Sequence, residues 1–326
     1  MMDILELLAD GQLHSGVELA QKLGVSRTTV SNYINQWIER GLAIETVSGK
    51  GYRLPYTITW LDKEKIQQGL SLSSQQRISQ FQLFRIIGST NDEAAKRIAS
   101  SQQSGVVCIA EMQEAGRGRR GRAWLSPVGA NFYGSVAWIY GQGFAVVEGL
   151  SLAVGVAVIE ALADLGVQGL SLKWPNDILW HGQKLGGVLI EMTGEVDGSC
   201  QVVLGLGINV KLPLHYRQQI EQPVADIYSI LGQDINRQQL TAKLIEALVS
   251  LLAEYEQTGF APWQQRWLQY DAFANQQVKI LGLTPVIEGI ARGIDERGAL
   301  LVQTTDGRII TIHGGEVSLR QSEQLS

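Results

Sequence analysis

Three glycines, Gly11, Gly24 and Gly41, cut the start of the chain into short segments that fit only as helices joined by tight turns. Ile4, Leu5, Leu7 and Leu8 begin an amphipathic helix that Gly11 ends. Ser15 opens a second, carrying Leu19 and Leu23, which Gly24 breaks. Ser26 is a good N-cap for a third, in which Val30, Ile34, Trp37 and Ile38 recur at helical spacing until Gly41 stops the run. Residues 42–47 then alternate apolar and polar, 48–51 read Ser-Gly-Lys-Gly, and Tyr52-Arg53-Leu54 completes a β-hairpin. A helix-turn-helix at about residues 16–35 with a hairpin behind it is a winged-helix layout, filling residues 1–56.

In such a unit the third helix enters the major groove of DNA. Ser26, Arg27, Thr28, Thr29, Ser31 and Asn32 on its polar N-terminal face are candidates for base and phosphate contacts, with Lys50 and Arg53 on the wing. The acids Asp3, Glu6, Glu18, Glu39 and Glu45 avoid the start of that helix and the wing tip. A helical cap or a protein-docking module would carry the same layout. The whole chain has a net charge of −5, so any DNA contact must be local.

At 326 residues the chain is long enough for two or three cores, since domains typically run about 100–150 residues. With 45 % hydrophobic and 18 % charged residues it reads as globular. Its acidic start lacks the basic and apolar regions of a signal peptide, and no window is expected to reach the ~20 apolar residues of a membrane span, so a cytoplasmic location is expected. Cys108 and Cys200 each lie in an apolar, strand-like run and are expected as buried free thiols. His14, His181, His215 and His313 have no ligand spacing, and no structural metal is expected.

Residues 57–80 hold a weak helical pattern over 61–70 and then a polar run, and read as a linker. From 81 to 270, strand-like runs (81–87, 105–113, 131–140, 183–193, 201–208) mix with helical patterns over 144–166 and 236–258. These predict an α+β domain on a mainly antiparallel sheet. From 271 to 326, short alternating runs separated by Gly282, Gly298 and Gly307 predict a small SH3-like β-barrel.

One segment of the central domain stands apart. Residues 116–122 read Gly-Arg-Gly-Arg-Arg-Gly-Arg, with four arginines in six residues from Arg117 to Arg122. Guanidiniums that close repel one another, so the empty loop is expected to be mobile. Glycines let backbone N–H groups approach a ligand and arginines complement carboxylate and phosphate oxygens, so the pair suits a polyanion. No Gly-x4-Gly-Lys-Ser/Thr phosphate loop occurs, so a nucleotide would need another cationic device. A solvated basic loop would have the same composition.

Four more clusters accompany it. Gly88-Ser89-Thr90-Asn91-Asp92 places hydroxyl and amide groups at a helix start, Lys173-Trp174-Pro175-Asn176-Asp177 surrounds a turn, and Lys184-Leu185-Gly186-Gly187 opens a strand that precedes Gly205-Leu206-Gly207-Ile208-Asn209. Each alone is an ordinary cap, turn or strand end. In this order, Ser-Thr-Asn, Gly-Arg-Gly-Arg-Arg-Gly, Lys-Trp-Pro-Asn-Asp, Lys-Leu-Gly-Gly and Gly-x-Gly-Ile-Asn resemble the biotin–protein ligase family. With the winged helix in front, the small β-domain behind and an ending at 314–320, the likeness covers almost the whole chain and extends to the family's repressor-type members.

The resemblance implies a biotin–lipoate ligase fold, similar to class II aminoacyl-tRNA synthetases. It also implies a two-step reaction: biotin's carboxylate attacks the α-phosphate of ATP to give biotinyl-5′-AMP and pyrophosphate, and a lysine of a biotin carboxyl carrier protein of acetyl-CoA carboxylase then attacks the mixed anhydride. Two anions must meet in the first step, so preorganised cations are required. By resemblance Ser89, Thr90, Asn91, Gln113, Arg117, Gly118, Arg119 and Lys184 bind biotin. Arg117, Arg119, Arg122, Trp124, Asn176, Gly187 and Asn209 lie near ATP or the adenylate. Lys184, Arg119 and Asp177 are the catalytic candidates, with Asp177 orienting or deprotonating the acceptor lysine. Mg²⁺ accompanies ATP. The resemblance further implies a homodimer promoted by biotinyl-5′-AMP that binds operator DNA of biotin-synthesis genes as a repressor. A sensing repressor without ligase activity, a ligase whose winged helix does not bind DNA, and a lipoate ligase are the rivals. Lipoate ligases generally carry an Arg-Arg-x-Ser-Gly-Gly-Gly loop instead.

Overall fold

The computed structural model describes residues 2–194, 198–282, 286–314 and 318–321. The N-terminal unit has helices α1 (Met2–Leu8), α2 (Gly16–Leu23) and α3 (Arg27–Glu39), then strands β1 (Glu45–Val47) and β2 (Gly51–Arg53). Local chemistry sets these bounds. The Ser15 and Ser26 hydroxyls accept from the amides of Glu18 and Thr29, and Gly24 caps α2 in the left-handed conformation. The fully buried Ile4, Leu5, Leu8, Leu19, Val30, Ile34 and Trp37 form the helical core. His14 pairs its backbone with Tyr52, which brings the α1–α2 turn against the wing. A Cβ at Gly51 would lie 2.0 Å from the His14 carbonyl oxygen, so only glycine fits that crossing.

This core does not end at the unit's edge. Ile58, Met112 and Val128 from the following chain are buried in it. The stretch expected as a linker carries α4 (Lys63–Gln68) and α5 (Leu72–Arg77), and Leu61, Ile66 and Leu70 are buried in the main core. Its polar residues misled the reading because they face outward, whereas these three apolar side chains face inward.

The central domain is a seven-stranded sheet. Its parts in chain order are β3 (Gln80–Phe84), α6 (Thr90–Ser101), β4 (Val106–Ala110), β5 (Asn131–Tyr140), α7 (Leu150–Ala163), β6 (Leu170–Lys173), β7 (Asp177–Trp180), β8 (Gln183–Gly194) and β9 (Cys200–Asn209). Helices α8 (Leu214–Arg217), α9 (Ile227–Leu231), α10 (Arg237–Thr258) and α11 (Ala261–Tyr270) follow. The strand order is β3-β4-β5-β9-β8-β7-β6, antiparallel throughout except β3–β4. Helices α7 and α10 cover one face and α6 the other, where Ala94 and Ile98 pack on Val106, Cys108, Ala137 and Val203. Both cysteines are buried free thiols, and burial pushes the Cys108 thiol up to about 12.

One expectation is corrected. The 19 residues Ala145–Ala163 are long and apolar enough to cross a membrane by composition, although no such window was expected. They contain α7, which is apolar all round because the sheet and helices α10 and α11 enclose it.

The C-terminal unit is a five-stranded antiparallel sheet of β10 (Gln277–Leu281), β11 (Ile287–Ile294), β12 (Leu300–Gln303), β13 (Ile309–Ile312) and β14 (Ser318–Gln321), in the order β13-β12-β11-β10-β14. Residues 315–317 of the expected ending lie outside the described residues. Trp174 Nε1 donates to the Gly298 carbonyl oxygen at 3.0 Å, joining this sheet to the β6–β7 turn.

Candidate active site

A single cavity above the central sheet collects the separate motifs. Its wall includes Ser89, Thr90 and Asn91 at the start of α6, Gln113, the loop 117–124, the 173–177 turn, Lys184, Gly187, and Gly205 and Gly207 on β9. Strands β5, β9 and β8 are central in the sheet, so side chains there are held on rigid backbone.

The floor is neutral and polar. Gln113 Oε1 accepts from Thr90 N at 2.9 Å and from Thr90 Oγ1 at 3.0 Å, while Gln113 Nε2 donates to Ser126 Oγ at 3.3 Å. Ser135, fully buried on β5, lies 2.7 Å from Thr90 Oγ1 and donates to Asn91 Oδ1 at 2.6 Å. Asn91 Nδ2 donates to Glu191 Oε2 at 2.6 Å. Space here is set by glycine: a Cβ at Gly205 would lie 2.3 Å from Asn91 Oδ1, and one at Gly207 would lie 2.6 Å from the Trp124 ring.

The other end is cationic. Lys184 Nζ pairs with Asp177 Oδ1 at 2.6 Å and lies 5.5 Å from the centre of the Trp124 ring. Arg119 donates to Asn176 Oδ1 at 3.2 Å, and Asn176 Nδ2 in turn donates to the Val188 carbonyl oxygen at 2.8 Å. Burial lowers the Arg119 pKa; Asp177 opposes that shift, and Arg120 and Arg122 add to it. Arg120 and Arg122 also line the cavity. A neutral floor that both donates and accepts, joined to a cationic end, suits an elongated ligand with a polar uncharged head and an anionic tail.

The Arg/Gly loop lies against carboxylates: Arg117 holds Asp92 in a two-pronged pair at 2.7 and 2.6 Å and approaches Glu191 at 3.3 Å. Asn209, expected near the nucleotide, is buried behind the wall, donating to the carbonyl oxygens of Lys184 at 3.3 Å and Ala225 at 3.1 Å. It therefore fixes the Lys184 backbone from the rear. Glu191, Ser135 and Gln222 escaped the sequence reading, and Asp92 stood in the 88–92 cluster without a role. The one available signal was Ser135, a hydroxyl in an otherwise apolar strand and paired with Gly205.

On the winged helix, Arg27, Thr28, Asn32 and Lys50 are exposed, and Ser31 is half-buried. Ser26 and Thr29 are partly committed to the cap, their hydroxyls 2.9 Å apart. Arg53 Nε donates to Glu45 Oε2 at 2.6 Å, so its charge is paired across the hairpin.

Comparison with known proteins shows what the chain is similar to. The family model for the biotin/lipoate A/B protein ligase family matches residues 83–209, that for the biotin protein ligase C-terminal domain matches 273–320, and a helix-turn-helix model matches 1–53. The bifunctional ligase/repressor BirA of Salmonella typhimurium is 40 % identical, covering 99 % of this chain and 98 % of that protein. The biotin–[acetyl-CoA-carboxylase] ligase of Mycobacterium tuberculosis is 34 % identical over 71 % of this chain and 85 % of that one. Among solved structures, the biotin protein ligase of Aquifex aeolicus in complex with biotin and ATP superposes with a TM-score of 0.63 at 28 % identity, over 75 % of this chain and 100 % of that one. The chain has a biotin ligase fold with a helix-turn-helix domain before it and an antiparallel sheet domain after it, and it belongs to the family of bifunctional biotin ligase/repressors.

Proposed function

We propose that the cavity joins biotin to ATP as biotinyl-5′-AMP and passes the biotinyl group to a lysine of the carrier protein of acetyl-CoA carboxylase. The observation that carries this reading is the polarity of the cavity, neutral at Thr90, Asn91 and Gln113 and cationic at Arg119 and Lys184. An uncharged urea fits the first end. A carboxylate meeting a phosphate needs the second.

Ser89, Thr90, Asn91 and Gln113 take the ureido ring, and the backbone around Arg117, Gly118 and Arg119 takes the tail. Lys184 and Arg119 draw the biotin carboxylate onto the α-phosphate and neutralise the charge that builds there. Trp124 Nε1 is buried without a hydrogen-bond partner, which supports a place for Trp124 against the adenylate, with Arg122, Asn176 and Gly187 beside the nucleotide. Lys184 is salt-bridged to Asp177. As the phosphate takes over Lys184, Asp177 becomes available to accept a proton from the acceptor ammonium, which must be neutral to attack. Asp177 is the carboxylate in the wall that would help to hold a Mg²⁺ accompanying ATP, whose chemistry there would be charge neutralisation.

We read the chain as a winged helix to residue 56, a connecting stretch to 80, a ligase domain related to class II synthetases to 270, and an SH3-like domain beyond. The exposed Arg27, Thr28, Asn32 and Lys50 support operator binding by a dimer in which biotinyl-5′-AMP is the corepressor, in the cytoplasm.

Pyrophosphate release from ATP tests the enzyme directly. It is expected to require biotin, and Lys184→Gln is expected to lower its rate about 10²- to 10³-fold, the usual cost of one preorganised charge donor. Biotin-independent release, or full activity in the variant, contradicts the assignment.

A further inference from the structure

We propose that Asp92 and Glu191 are positioning residues that hold the Arg/Gly loop over the cavity through the Arg117 side chain, and so keep the acyl-adenylate in place until an acceptor amine arrives. This rests on the function proposed above.

The loop fastens mostly to itself. Gly118 N donates to the Arg122 carbonyl oxygen at 2.8 Å, Trp124 N to that of Gly116 at 2.8 Å, and Arg117 bridges to Ala123. These bonds make a tight ribbon, and side chains attach it to the domain: Arg119 on Asn176 of the 173–177 turn at 3.2 Å, and Arg117 on the opposite side. The two terminal nitrogens of Arg117 reach Asp92 Oδ2 at 2.7 Å and Oδ1 at 2.6 Å, on α6, and the second also approaches Glu191 Oε1 at 3.3 Å, on β8. Glu191 Oε2 simultaneously accepts from Asn91 on the cavity floor, so one carboxylate links floor and loop.

The same geometry makes Arg117 a poor direct partner for phosphate. Both of its terminal nitrogens are engaged, and two carboxylates surround one guanidinium, leaving a local excess of one negative charge. The hydrogen bonds from Arg117 hold the Asp92 carboxyl below the usual carboxylate range, so the pair stays ionised at neutral pH. Arg119 and Lys184 are left to meet the anions. The tether must also open to admit substrate, and partial exposure suits this: the side chains of Arg117, Asp92 and Glu191 are 35 %, 63 % and 43 % exposed. Solvated pairs of this kind alter a rate severalfold rather than by orders of magnitude.

The test is adenylate release. The complex is formed from labelled biotin and ATP, chased with excess unlabelled biotin, and retained label is followed by filtration. Asp92→Asn, Glu191→Gln and Arg117→Ala are each expected to raise the release rate roughly three- to tenfold. Asp92→Asn is expected to add nothing in the Arg117→Ala background, because both remove one contact. Unchanged release in Asp92→Asn, or effects of the two that multiply, overturns the tether. Trypsin cleavage of the ligand-free protein after Arg120 or Arg122 gives a second readout, expected to quicken in Asp92→Asn; equal cleavage overturns the proposal. If the wild-type protein forms no adenylate, the functional reading has failed and the cleavage rates alone decide the tether.

Discussion

His14 shows how much a single side chain can be asked to hold. Its Nε2 lies 3.0 Å from Asp10 and its Nδ1 3.1 Å from Glu18, and Lys22 Nζ pairs with the same Glu18 oxygen at 2.8 Å. Burial alone would lower the imidazole pKa, but the hydrogen bonds and charges of Asp10 and Glu18 outweigh it and raise the value. A group whose folded pKa is raised stabilises fully below its unfolded value, and that contribution disappears as pH rises through the folded one. Asp10 and Glu18 are held low, so their share disappears instead as pH falls through the acidic range. The unfolding midpoint of the winged helix is therefore expected to drop as pH rises above the ordinary imidazole value of 6.5, and His14→Gln to flatten that slope. Equal slopes in the two proteins would refute the account. Nothing in the sequence pointed to this trio, because it depends on the α1–α2 turn bringing residues four apart into line.

At the scale of elements, legibility followed length and alternation. Strand β5 was read at its observed bounds, and α10 to within a residue, since each carries a long regular pattern. Strands β6 and β7 were missed: each has four residues, too few to show a period, and the Lys-Trp-Pro-Asn-Asp turn between them drew the reading. Helix α11 was missed as well, with Trp267 its one fully buried anchor among glutamines. In the site, contiguous motifs were legible and through-space partners were not; Asp92 and Glu191 meet Arg117 from α6 and β8. Strand β9 carries the sharpest steric prediction. Gly205→Ala places a Cβ 2.3 Å from Asn91 Oδ1, so that amide must shift. Overpacking of this kind costs about 1–3 kcal/mol, so KM for biotin is expected to rise about tenfold or more in a protein that still folds. An unchanged KM would place the ligand head elsewhere.

Over the whole molecule, four consecutive residues connect three parts of the fold. Glu111 is fully buried and accepts from Arg237 at 2.8 Å and from the Leu61 amide. Met112 enters the winged-helix core, Gln113 enters the cavity, and Glu114 lies 3.5 Å from Arg40 at the end of α3. The DNA-binding unit and the cavity thus share a short length of chain, a connection that no local pattern could reveal. This cavity is predicted to select biotin and make its adenylate. The protein should be incubated with ATP and equimolar biotin and lipoate, separated from free ligand, and its bound small molecule identified by mass spectrometry. Biotinyl-adenylate alone is the predicted result; lipoyl-adenylate, or no adenylate at all, would contradict it.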